Sequence, residues 1–287
     1  MYADDIQLFL SFNPSDPDSI QSALSNISAC ITEIKLWMTN NMLKLNDSKT
    51  EFFVAISKNN KSKMPPVHLQ IGSEIITPSD TVRNLGIIFD SQLSMSPQIT
   101  GLCKSVSFEL HNISRIRRFL DQGSCHHVVR SLVLSRIDYG NALLLGTNHS
   151  DLNRLQRLQN WASKLIYCAN KRGHATPFLK QLHWLPIKER IQFKILLFVY
   201  KFVNDIGPSY LTSALSFYTP ARAGLRSSSD STRLAEHKIR PKTLKSAADR
   251  SISFVAPTLW NKLPPTLRSA KSLNVFKKNL KTYLFPY

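Results

Sequence analysis

The sequence predicts an α+β protein, with short antiparallel strands around one helix in the first hundred residues and a mainly helical remainder. Three observations predict it. Outside one long helical stretch, the apolar residues before Pro97 alternate or form short runs, whereas from Pro97 onward they recur at three- and four-residue steps. Gly72-Ser73 and Pro78-Ser79-Asp80 punctuate the first part at strand spacing, because these residues favour turn dihedrals. Charge is divided in the same way. Residues 1–60 carry seven acidic side chains against the four basic ones Lys35, Lys44, Lys49 and Lys58, while residues 103–287 carry 30 basic and 9 acidic ones, a net of +21 within an overall +18.

Taken in order, Ile6, Leu8, Leu10 and Phe12 alternate after the acidic pair Asp4-Asp5, the pattern of a strand leaving a hairpin turn. Asp16-Pro17-Asp18 breaks that strand. Ser19 then caps a long amphipathic helix built on Ile20, Leu24, Ile27, Ile31, Ile34 and Trp37 or Met38. After Asn40-Asn41, residues 42–46 and 49–56 predict a strand pair, and residues 58–66 a solvated loop. Residues 67–71, 74–76 and 81–89 predict three short strands of one small antiparallel sheet. Helices are predicted over 99–119, 125–139, 150–168, 177–182 and 186–204. Residues 222–250 are poor in large apolar side chains and carry polar clusters such as Arg226-Ser-Ser-Ser-Asp230, the composition of a loose connector. The final piece offers Trp260, Leu263, Leu267, Phe276, Leu280 and Leu284 for packing. This gives three regions, 1–100, 101–215 and 216–287, without an internal repeat.

Composition narrows the classes of function. Cys30, Cys103, Cys125 and Cys168 stand far apart with no C-x-x-C pair, so neither a disulfide framework nor a zinc ribbon is predicted, and a reducing intracellular compartment fits. His126-His127 beside Cys125 lacks a second ligand pair at usable spacing, which excludes zinc there. No cationic and apolar leader opens the sequence. The most apolar later stretch, 191–203, is short and interrupted by Lys194 and Lys201, so no membrane segment is predicted. A strongly cationic region attracts polyanions, with nucleic acid the commonest partner ahead of anionic membrane. A charge kept for solubility, or a structural role of ribosomal style, is the competing account.

Adjacent carboxylates at a tight turn can aim at one point and hold divalent cations. Nucleotidyl transfer uses two Mg²⁺ about 3.5–4 Å apart, bridged by hard oxygen ligands. Taken alone, an Asp-Asp pair is more often a solvated cap or turn. Its neighbours carry more information. Tyr2-Ala3-Asp4-Asp5 followed by Ile6-Gln7-Leu8-Phe9-Leu10-Ser11-Phe12 resembles the palm motif of retroelement reverse transcriptases, in the form common among non-LTR (LINE-type) retrotransposons. Leu43-Lys44-Leu45-Asn46-Asp47-Ser48-Lys49-Thr50-Glu51 is similar to that family's L-x-L-N-x-x-K-T-E segment, and Asn84-Leu85-Gly86-Ile87-Ile88-Phe89-Asp90 to its L-G-x-x-x-D primer-grip hairpin. Leu182-His183-Trp184-Leu185-Pro186-Ile187 with Arg190, and Trp260-Asn261-Lys262-Leu263-Pro264-Pro265-Thr266-Leu267-Arg268, resemble recurring C-terminal stretches of CR1- and L2-like elements.

The resemblance implies a partial reverse-transcriptase palm of antiparallel strands plus helix, followed by a mainly α-helical thumb and C-terminal region. It implies an RNA-directed DNA polymerase with Mg²⁺ held by Asp4 and Asp5, Tyr2 at the turn near the primer terminus, and Lys49 assisting pyrophosphate departure. Its partners would be an RNA template, a DNA primer and dNTP, and its location the nucleus and cytoplasm. A solvent-facing lysine is the alternative for Lys49. Gly86 is accounted for either by close approach of the primer strand or by a simple bulge. Arg115, Arg117, Arg118, Arg154, Arg157 and Lys164 are candidate nucleic-acid contacts on thumb-like helices, the alternative being solvated helix faces. Such an enzyme also needs a third carboxylate on a preceding strand and a fingers region, neither present in this sequence. The expectation is therefore a fragment inactive on its own, or a basic module that binds RNA or RNA–DNA hybrid without catalysis.

Overall fold

The structure is a computed structural model that describes residues 5–46, 49–72, 74–170, 172–208, 214–219, 232–236 and 251–285. It divides into two compact units, Met1–Ser94 and Met95–Tyr287.

The first unit is built on α1 (Pro17–Asn40). Its start corrects the cap read from sequence. Asp16 is the cap, its carboxylate accepting from Asp18 N at 3.1 Å, and Pro17 opens the helix because its fixed φ suits the first turn. The Ser19 hydroxyl instead accepts from Asn13 N at 2.9 Å. One turn, α2 (Lys58–Lys61), lies in the predicted loop, capped by Ser57. Two antiparallel hairpins follow: β1 (Leu69–Ile71) with β2 (Glu74–Ile76), and β3 (Thr81–Asn84) with β4 (Ile87–Asp90). The predicted three-stranded sheet is therefore two separate ribbons. Residues 81–89 fold back on themselves at Leu85 and Gly86, whose φ values of 47° and 79° are those of a primed turn that suits strand twist.

The core of this unit lies between α1 and the first hairpin. Ile31, Leu69 and Ile71 are buried there, with Leu24, Ile27, Leu45, Phe52 and Ile76 packed around them. Ser28 Oγ ties the helix to the hairpin by donating to Gln70 O at 2.9 Å. The strands expected at 6–12, 42–46 and 49–56 do not form. Among the described residues of these segments, Phe53 alone makes a bridge outside the named strands, a parallel one to Ser79. A strand exists only by pairing its N–H and C=O groups with a neighbour. Alternation alone does not supply that neighbour, and Leu45 and Phe52 fill the core from irregular backbone instead. Ile6, Leu8, Leu10, Trp37 and Met42 are exposed, and Phe9 is 91% so.

The second unit is helical. It contains α3 (Ser96–Ile116), α4 (Gln122–Val129), α5 (Ser135–Asp138), α6 (His149–Ile166), α7 (Thr176–Gln181), α8 (Ile187–Val203), α9 (Ile252–Asn261), α10 (Pro265–Arg268) and α11 (Leu273–Leu284). Each helix predicted between residues 99 and 204 is present. The one predicted over 125–139 is interrupted by a π-helical segment, Arg130–Leu134. α3 packs on α6 through the fully buried Ile99, Val106, Leu110, Leu155, Ala162 and Ile166, and α8 packs on α9 and α11. Full burial of an aliphatic side chain contributes about 1.5–3 kcal/mol, so this seam is the main source of stability for the pair.

Both C-terminal sequence stretches act as anchors. Gln159 Nε2 donates to Leu185 O at 2.9 Å, and Ile187 N donates to Gln156 Oε1 at 2.8 Å, so two glutamines of α6 hold the Leu-Pro-Ile entry to α8. Arg190 grips Asp138 with Nε at 2.9 Å and a terminal nitrogen at 2.5 Å. Trp260 is fully buried, and its indole N–H donates to Thr232 O at 2.8 Å. Tyr200 stacks on Phe276 with ring centres 4.3 Å apart, and its hydroxyl donates to Ala270 O at 2.8 Å.

Candidate nucleic-acid interface

Tyr2 and Asp4 lie outside the described residues, as do Asp47 and Ser48. Asp5 is exposed at the head of the irregular segment. Gln7 Nε2 donates to Asn84 Oδ1 at 2.6 Å, which brings this segment to the β3–β4 hairpin whose turn holds Gly86. Lys49 is exposed, its N–H donating to Asn46 O at 3.1 Å. Among the described residues, which do not include Asp4, no three His, Cys, Asp or Glu side chains gather as a metal site would require.

The six cations singled out by sequence divide into two kinds. Arg117 is spent internally. Its Nε and one terminal nitrogen donate to Leu165 O and Ile166 O, each at 2.8 Å, and the other donates to Leu120 O at 2.6 Å. A cation here satisfies the orphan carbonyls at the end of α6 and complements the helix dipole, so its role is to cap that helix. Arg154 is likewise engaged, donating to Asp151 Oδ1 at 3.0 Å and to Thr100 Oγ1 at 3.1 Å. Asp151 is buried. Burial alone pushes its carboxyl up, but hydrogen bonds from Ser96, Arg154 and Asn148 with the charge of Arg154 outweigh this and hold it below the usual value.

Arg115 and Arg118 are exposed at the end of α3, with the Arg118 guanidinium 4.6 Å from the centre of the Phe119 ring. Arg157 is exposed on α6, and Lys164 is half-buried one stripe further along. These last two border a groove that the sequence did not single out. Arg157, Asn160, Trp161 and Lys164 of α6 and His111 of α3 line an open groove of about 430 Å³. Positions 157, 160, 161 and 164 share one helical face by their three- and four-residue spacing, a signal legible in sequence. His111 was not legible, because it arrives from another helix. It meets Trp161 edge-on, with ring centres 4.8 Å apart and planes at 81°.

No family model matches the chain, and no similar curated protein or solved structure is found. Among the described residues, no helix is long and apolar enough to cross a membrane.

Proposed function

We propose that the chain is the part of a non-LTR retrotransposon reverse transcriptase that runs from the Asp-Asp turn through a thumb-like helical region, and that its own contribution is to hold RNA or RNA–DNA hybrid. One observation carries this reading. The Y-A-D-D, L-x-L-N-x-x-K-T-E and L-G-x-x-x-D segments follow one another in a single chain, ahead of a region with a net charge of +21. Mg²⁺, when bound at Asp4 and Asp5 in such an enzyme, supplies Lewis-acid clamping of the attacking and leaving oxygens. The residues of this chain contribute backbone positioning at the Gly86 turn and charge neutralisation along the helical unit.

Binding without catalysis is favoured as the second reading by the groove on α6, which joins the cations Arg157 and Lys164 to the aromatic face of Trp161. Titration of an RNA–DNA hybrid with the purified chain tests both. Affinity falls with salt, is unchanged in Asp4→Ala/Asp5→Ala, and weakens in Arg115→Glu/Arg118→Glu. Absence of salt-dependent binding sinks both readings. Any primer extension with dNTPs and Mg²⁺ must vanish in Asp5→Ala, and extension that survives removes the catalytic descent.

A further inference from the structure

The groove between α3 and α6 has a composition that the duplex-holding role leaves unexplained. A rigid duplex offers phosphates at its surface and keeps its base faces stacked inside. For that purpose cations suffice. Here the cations flank a half-buried indole, and the walls beside it carry hydrogen-bonding groups with fixed orientation.

Two of those orientations follow from hydrogen bonds. The side-chain carbonyl of Asn160 accepts from Gln156 Nε2 at 2.8 Å, which assigns Asn160 Nδ2, a pair of donors, to the other side of the amide. His111 Nδ1 stands 2.8 Å from Ser107 O. A carbonyl accepts only, so the neutral imidazole carries its proton on Nδ1 and presents Nε2 as an acceptor. The groove thus combines an aromatic face, a donor pair, an acceptor and two cations. Arg157 and Lys164 are seven residues apart on one helix, a rise of about 10.5 Å, so they stand on either side of Trp161. A volume near 430 Å³ suits a ligand the size of one nucleoside.

We propose that this groove binds an unpaired nucleotide of a single-stranded nucleic acid, with the base on Trp161, its edge against Asn160 and His111, and flanking phosphates at Arg157 and Lys164. The proposal rests on the nucleic-acid reading above and deepens it. Base–aromatic stacking tolerates any sequence, because every base has a π face, so selectivity here is for unpaired over paired strands.

The test measures anisotropy of labelled oligouridylate, oligothymidylate and a blunt RNA–DNA hybrid on the full chain, on Trp161→Ala and on Trp161→Phe. The expected result is an about 5- to 150-fold loss of affinity for both single strands in Trp161→Ala, with the hybrid nearly unaffected and Trp161→Phe close to the parent. Uridylate binding above thymidylate assigns the ligand to RNA, and the reverse assigns it to DNA. If Trp161→Ala leaves single-strand affinity unchanged while all three probes still bind with salt dependence, the groove proposal fails and the wider reading stands. If no probe binds with salt dependence, both fail. Should Trp161→Ala lose its helical circular dichroism, tryptophan emission from Trp37→Phe decides instead, since in that variant Trp161 is half-exposed whereas the remaining tryptophans, Trp184 and Trp260, are buried. Quenching by the single strands supports the proposal, and its absence overturns it.

Discussion

Asn261 and Leu234 close a ring of two hydrogen bonds: Leu234 N donates to Asn261 Oδ1 at 3.0 Å, and Asn261 Nδ2 donates to Leu234 O at 2.9 Å. The amide side chain behaves as one more strand, since Leu234 bridges Phe217 in antiparallel fashion and is itself fully buried. Replacing Asn261 with Leu strands a buried donor and acceptor together. A loss of about 1–3 kcal/mol is expected, read as a lower urea midpoint at unchanged slope. Asn261→Asp keeps the acceptor and loses the donor, so it stays destabilised relative to the parent.

Asp151 links stability to acid. Its folded carboxyl titrates below the ordinary 3.8, so it stabilises the fold above that pH and the contribution is lost as pH falls through the lower, folded value. Asp151→Asn should therefore cost stability at neutral pH while flattening the acid limb of an unfolding-midpoint curve. An equally steep limb in that variant removes Asp151 as its source.

Leu85 has φ at 47°, where a leucine Cβ crowds the following carbonyl at a cost of about 1–2 kcal/mol. Asparagine tolerates this region and is preferred in primed turns. Leu85→Asn should raise the thermal midpoint of the unit it belongs to, and a fall would show that the exposed leucine makes a contact worth more than the strain.

Arg117 and Arg118 are neighbours with different work. Arg117→Gln uncaps the end of α6 and should lower stability, measured by thermal unfolding, with little change in the salt slope of nucleic-acid binding. Arg118→Glu should leave the unfolding free energy within about 0.5 kcal/mol of the parent and reduce that slope by roughly one per lost phosphate contact.

Helices were the legible part of the fold. Their faces repeat within the sequence itself, as in Ile99, Val106 and Leu110, and no distant partner is needed to recognise them. Strands were less so. The run 81–89 has strand composition throughout, and its fold-back at Leu85-Gly86 is hidden because leucine does not announce a positive φ. In the interface, Arg117 and Arg157 look alike as letters. One is consumed by carbonyls 48 and 49 residues away in the chain, a contact that only tertiary packing creates. The exposed Phe9 shows the same limit from the other side, since alternation predicts a face but not what covers it.

The π-helical segment Arg130–Leu134 sets how this part of the chain tolerates length changes. Cys125, Val129, Val133 and Ile137 are all buried although they fall at four-residue steps. On an ideal α-helix such a series drifts by about 120° over its length, enough to carry Ile137 off the seam. The wider turn takes up that drift. Deleting one residue there would leave a regular helix with Cys125 and Ile137 eleven residues apart, within about 20° of three whole turns, so Asp138 would keep its side toward Arg190. The α4–α5 region should therefore accept a one-residue deletion better than a one-residue insertion, because an insertion adds about 100° of rotation that the wide turn has already been used to absorb.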